Sequence, residues 1–175
     1  MPIPDKYRSA RPLWLAITIF LASFLVLQLS WSLARGTILE HWVIDGATVR
    51  TSVAIVNALT PAAGAEAHGA SILAPGGGVT VLNGCEGTEV LFLLFAALAA
   101  YPFSWTMRVA GMAAGTLYVF VINQIRLVAL FYAIRNNPEL FAQLHAVVAP
   151  LALILCTLLF FIGLRSWDQA RRPAS

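Results

Sequence analysis

Three residues in this chain could act together on an acyl group, and each lies beside or within an apolar stretch. Cys85 occupies the run Asn83-Gly84-Cys85-Glu86-Gly87, just ahead of an apolar stretch that starts near Thr88. A helix beginning there puts unpaired N–H groups and a dipole behind the thiol, which favours an anionic, nucleophilic sulfur. The flanking glycines permit a sharp turn and close approach of another backbone. Arg126 lies inside a later apolar stretch. It stands about nine residues, or roughly 13 Å of helix, from the outer end of that stretch at Arg135. That depth is beyond comfortable snorkelling, so the guanidinium must face water or the protein interior and needs a partner. Glu89, one turn after Cys85, is the natural one, and Asn123, one turn from Arg126 on the same face, can hydrogen-bond in the same place. His145 opens the last apolar stretch. Thiol, imidazole and guanidinium together would supply a nucleophile, a base that later acts as an acid, and a cation for a developing oxyanion. Glu86, beside the thiol, reads as a cap on the following helix.

The remaining candidates carry less. Cys156 falls mid-stretch and reads as packing, and two cysteines make no disulfide framework. His41 and His68 read as surface residues; histidines so scattered suggest no metal site, and no cofactor is expected.

Composition sets the elements that must position these side chains. Of 175 residues 59% are hydrophobic and 11% charged, with a mean hydropathy of +0.80, which places the chain in the membrane class. The net charge of +3 comes from basic residues flanking the apolar runs, so it carries topology rather than a nucleic-acid surface. A bilayer crossing needs about 20 apolar residues, and residues 13–33, 87–102, 109–134 and 140–164 are the candidates, the second being short. Lys6, Arg8, Arg11, Arg108, Arg165, Arg171 and Arg172 then share one side with both termini, the cytoplasmic side. The first stretch is too long for a cleaved signal peptide and is expected to stay as an anchor. Residues 35–84 and the 135–139 turn fall on the opposite side. There, residues 38–59 pattern as an amphipathic helix at the membrane surface, stopped by Pro61. Residues 71–74 and 79–82 flank Pro75-Gly76-Gly77-Gly78 as a β-hairpin that leads directly to Cys85, and residues 62–65 read as a loop. Gly111 and Gly115 offer a small-residue face for close helix packing. The expected fold is an all-α integral membrane protein, one domain over residues 1–175, with four transmembrane helices, a short extracytoplasmic amphipathic helix and a β-hairpin.

Cys85 in Asn-Gly-Cys-Glu-Gly ahead of one span, Arg126 in Asn123-Gln124-Ile125-Arg126 within the next, and His145 at the start of the last resemble the exosortase/archaeosortase family of membrane transpeptidases. The resemblance covers most of the chain, from the hairpin to the final span. Glu86 stands where many members have serine, and the small number of spans looks like the compact members, such as exosortase H. The resemblance implies that Cys85, Arg126 and His145 form the catalytic set. It implies substrates that are secreted proteins ending in a PEP-CTERM-like motif, a transmembrane helix and a basic tail, cleaved on the outer side of the bacterial plasma membrane and passed to an acceptor.

Without that chemistry, the same residues read as a membrane scaffold or assembly factor with a structural Arg126–Glu89 ion pair. A transporter is a weaker reading, because no inverted repeat or broken-helix pair is evident. Thiol reactivity separates enzyme from scaffold. A membrane-impermeant maleimide applied from outside is expected to label Cys85 within minutes near neutral pH, and labelling no faster than that of Cys156 would favour the scaffold.

Overall fold

The structure is a computed structural model that describes residues 12–82 and 84–171. Lys6, Arg8, Arg11, Asn83 and Arg172 lie outside the described residues. Helix α1 (Leu13–Ala34) follows Pro12 and carries no charged residue. Helix α4 (Thr88–Ala100) and helix α5 (Trp105–Asn136) come later in the chain. Ser104 starts α5 by accepting a hydrogen bond from the Met107 N–H on its side-chain oxygen, which satisfies one of the orphan donors of a first turn. Asn137 does the same for α6 (Pro138–Gln143), accepting from the N–H groups of Glu139 and Leu140. A π-helical stretch, Leu144–Val148, then carries the chain into α7 (Ala149–Arg171) without a break.

Among the described residues three helices are long and apolar enough to cross a bilayer: Leu13–Ala34, Trp105–Asn136 and the continuous Pro138–Arg171. Four spanning helices were expected, and α4 departs from that. Its 13 residues reach about 20 Å at 1.5 Å per residue, against a hydrocarbon core of about 30 Å. Its bounds have local causes. Gly87, at φ +84°, turns the chain into it, and the extended Tyr101 and Pro102 end it. Arg108 seals the far end, where Nε donates to the Leu98 carbonyl at 3.1 Å and Nη2 to that of Tyr101 at 3.4 Å. The residue expected only to mark topology therefore also caps a helix.

The helices close on α4 through the expected small-residue face. A Cβ at Gly115 would lie 2.5 Å from Leu94 Cδ2, and one at Gly111 2.7 Å from Leu164 Cδ2, so leucine side chains of α4 and α7 pack directly on the backbone of α5. Leu94, Leu98, Phe103 and Val119 form the apolar core at this end.

At the opposite end a cap covers the helices. Its helical part runs as α2 (Ile38–His41), a π-helical stretch (Trp42–Val49) and α3 (Arg50–Leu59), where a single regular helix was expected. The Thr48 hydroxyl donates to the carbonyl five residues back, at Val43 (2.8 Å), and Gly46 weakens the regular alternative. A short 3-10 turn, Pro61–Ala63, replaces part of the expected loop. Strands β1 (Glu66–His68), β2 (Ser71–Ala74) and β3 (Gly77–Thr80) form one antiparallel sheet in the order β1-β2-β3. The expected hairpin is therefore two strands of three, with Ala74 opposite Gly77 around Pro75-Gly76. Ile44, Val49, Val56, Ile72, Val79, Leu127 and Phe131 join this cap to the last turns of α5 in a second core. Arg135 ties the hairpin down by donating from Nη1 to the Pro75 carbonyl at 2.7 Å.

Gly115→Val overfills the α4–α5 contact. It should cost about 1–3 kcal/mol, read as a lowered thermal midpoint of the detergent-solubilised protein, and an unchanged midpoint would contradict the close packing.

Candidate functional site

Between the two apolar cores lies a buried polar layer. On α5 the apolar positions Val119 and Leu127 bracket Asn123, Gln124 and Arg126, with relative exposures of 1%, 4% and 9%. On the approach to α4, Cys85, Glu86 and Thr88 are equally buried. Polar groups so placed need partners, and Glu86, Asn123, Gln124 and Arg126 each find one while a second polar atom of each, Glu86 Oε2, Asn123 Oδ1, Gln124 Nε2 and Arg126 Nε, stays buried without one.

Cys85 is held from both chain directions. Its N–H donates to the Leu82 carbonyl at 2.9 Å, and its own carbonyl accepts from Asn123 Nδ2 at 3.1 Å. Arg126 Nη2 donates to Cys85 Sγ at 3.9 Å. The glycine at 87 makes this approach possible in two ways. Its φ of +84° suits glycine, and a Cβ there would lie 3.1 Å from Asn123 Cγ. Asn123 thus packs onto the turn whose preceding carbonyl it holds.

Glu86 does not cap α4, as expected of it; the N-cap position belongs to Gly87, with no side-chain hydrogen bond to the helix. Its carboxylate turns aside to α1, where Oε1 accepts from Trp31 Nε1 at 3.2 Å and from the Thr88 hydroxyl at 2.8 Å. The end of α1 is thereby fastened beside the thiol. Glu89 also departs from expectation. The ion pairs within 4.0 Å among the described residues are His41–Asp45 and His68–Glu66, so Arg126 and Glu89 form none. Glu89 is exposed in the first turn of α4, and its carboxylate points back toward Gly84, 3.7 Å from where a Cβ would stand there. Arg126 is therefore a buried cation with no carboxylate against it, and its Nε has no hydrogen-bond partner.

His145 reaches the same place from the π-helical stretch. A cavity of about 280 Å³ between β3, α5 and α6 is lined by Cys85 and His145 together, with Leu127, Leu130 and Phe141 among its apolar walls. The imidazole stacks on Phe141, ring centroids 5.5 Å apart and 6° from parallel. Its Nδ1 is buried without a partner. Cys85, Asn123 and Arg126 are thus in direct contact, and His145 faces the thiol's cavity. The arrangement offers a thiol, a cation beside its sulfur and an imidazole with an unused nitrogen.

Trp31, Thr88, Ser52 and Gln124 belong to the layer and were not singled out from sequence. Gln124 Oε1 accepts from the Ser52 hydroxyl at 2.6 Å, joining α3 to α5. Gln124 lies between Asn123 and Arg126 in an apolar stretch, which was signal enough; Trp31 carries no local signal, because its partner Glu86 is far along the chain. No protein-family model, curated protein or solved structure matches this chain.

Asn123→Leu keeps the size of the side chain and leaves the Cys85 carbonyl unpaired. The expected cost is about 1–3 kcal/mol, with faster amide exchange over residues 85–91. Exchange unchanged from wild type would mean that Asn123 does not hold the turn.

Proposed function

We propose that this chain is a membrane cysteine transpeptidase of exosortase type, with Cys85 as nucleophile, His145 as general base and acid, and Arg126 as the cation at the oxyanion. One observation carries the reading. A guanidinium is buried against a thiol sulfur with no carboxylate to balance it. An uncompensated buried cation is costly in a stable scaffold, and the cost is offset where negative charge develops during a reaction. The scaffold reading loses its main support with the Arg126–Glu89 pair.

In this mechanism the Cys85 sulfur bonds to the scissile carbonyl carbon as His145 takes the thiol proton. Arg126 stabilises the negative oxygen of the tetrahedral intermediate. Collapse breaks the C–N bond, the leaving amine takes the proton from His145, and a thioester remains. An acceptor amine or water then attacks the thioester carbon and gives its proton to His145; the C–S bond breaks, and His145 returns that proton to the sulfur. The substrates are secreted proteins with a C-terminal motif, transmembrane helix and basic tail.

The reading includes a four-span topology in the bacterial plasma membrane, with α4 as a short crossing, both termini cytoplasmic and Cys85 on the outer side. It is supported by Arg108 and Arg165, which both meet the Tyr101 end of the helices. Trp31, Cys85 and His145 gather at the other end.

Co-expression with a candidate sorting-signal substrate, followed by mass, tests the chemistry. Cys85→Ala and His145→Ala are expected to abolish processing. Arg126→Lys keeps the charge but loses the planar fork, and its rate should fall about 100-fold, the scale of a lost oxyanion donor. Normal processing by Cys85→Ala at equal expression would end the mechanism.

A further inference from the structure

The cavity beside Cys85 has a wall that the mechanism does not use. It is lined by Gly78, Val79 and Thr80 in succession. Successive residues of a strand point to opposite faces, so a cavity touching three in a row lies along the edge of the strand and not against one face. Strand β3 is the terminal strand of its sheet. Its pairing partner is β2, and the bond from the Val81 N–H to the Ala70 carbonyl at 2.8 Å sets the phase of the ladder. With that phase, Val79 and Gly77 direct their N–H and C=O groups at β2, and Gly78 and Thr80 direct theirs at the open edge. Among the described residues no backbone hydrogen bond reaches that edge.

An open edge is a template for one more strand. Gly78 adds nothing bulky to it, and glycine is required there, because a Cβ would stand 2.5 Å from the Ile72 carbonyl oxygen. The rest of the cavity wall is apolar, from Leu127, Leu130 and Phe141, and suits side chains rather than a charged head group. Alternating donors and acceptors at strand spacing match one chemistry, an extended polypeptide backbone. The reactive sulfur and His145 lie in the same cavity.

We infer that the substrate polypeptide binds as a fourth strand along the free edge of β3, pairing its backbone with Gly78 and Thr80 and laying its scissile bond at Cys85. This inference rests on the transpeptidase reading. It assigns affinity to main-chain hydrogen bonds and selectivity to the side chains that enter the cavity.

The test uses the full chain in detergent and acetyl-penta-alanine chloromethyl ketone, with the rate of Cys85 alkylation followed by mass and divided by the rate with free glutathione. Chloroacetamide is the probe without a backbone. A series with each amide N-methylated in turn leaves the protein untouched. The expected result is about a tenfold loss at alternating positions and changes within twofold at those between. Thr80→Pro deletes an edge N–H and spares the β2 ladder. It should lower the ratio of the peptide-probe rate to the chloroacetamide rate about tenfold, whereas Thr80→Val, which keeps the N–H, should not. Equal rates across the methylated series, or a peptide probe no faster than chloroacetamide, would overturn strand pairing. Substrate processing that survives Cys85→Ala would instead remove the enzyme on which the subsite rests.

Discussion

A guanidinium buried among apolar helices is the constraint around which the rest of this structure is arranged. Arg126 is 9% exposed, and its Nη2 donates to a thiol sulfur. A cation in such a place demands a counter-charge or polar partners, and here it has the Cys85 sulfur, with its Nε left unpartnered. Asn123, Gln124, Glu86, Thr88 and Ser52 form a layer one or two side chains thick, and its hydrogen bonds connect α1, α3, α4 and α5 at one level. Removing the layer would leave two apolar cores with little to define how they sit on one another, since apolar packing is tolerant of rearrangement.

The two cores do different work. The one around Leu94, Leu98 and Val119 relies on Gly111 and Gly115 to bring three helices within contact. It gives the polar layer a rigid floor. The other, around Ile72, Phe131 and Val56, holds the sheet and the cap helix to the last turns of α5. It gives the layer a roof with an opening, and the opening is the cavity that thiol and imidazole both line. Site and fold share the same residues here. Asn123 both holds the Cys85 carbonyl and packs on Gly87.

Hydropathy made the long helices legible, because an apolar stretch with basic flanks has few other uses. The bounds of α1 and α5 lie within a few residues of those expected. The hairpin was legible from its Pro-Gly turn, and the closeness of Asn123 to Arg126 on one face from helical spacing alone. What stayed hidden was decided by long-range partners. Strand β1 is three residues long and has no apolar pattern, so only its pairing with β2 reveals it. Glu86 reads as a cap because local rules know only its own helix, whereas Trp31 lies 55 positions away. Glu89 and Arg126 were matched by charge and depth, but the rotation of α4 sends the carboxylate toward Gly84.

The π-helical stretch at Leu144–Val148 is more loosely wound than the helix on either side. Such a stretch behaves as an insertion that leaves the flanking hydrogen-bond ladders intact. Each added residue swings the helix before it by about 100° relative to the helix after it. The face that α7 turns to its neighbours and the face that presents His145 to the cavity are therefore set independently. Selection could tune the aim of the imidazole by the gain or loss of a single codon, while the packing of the long helix beneath it stayed as it was.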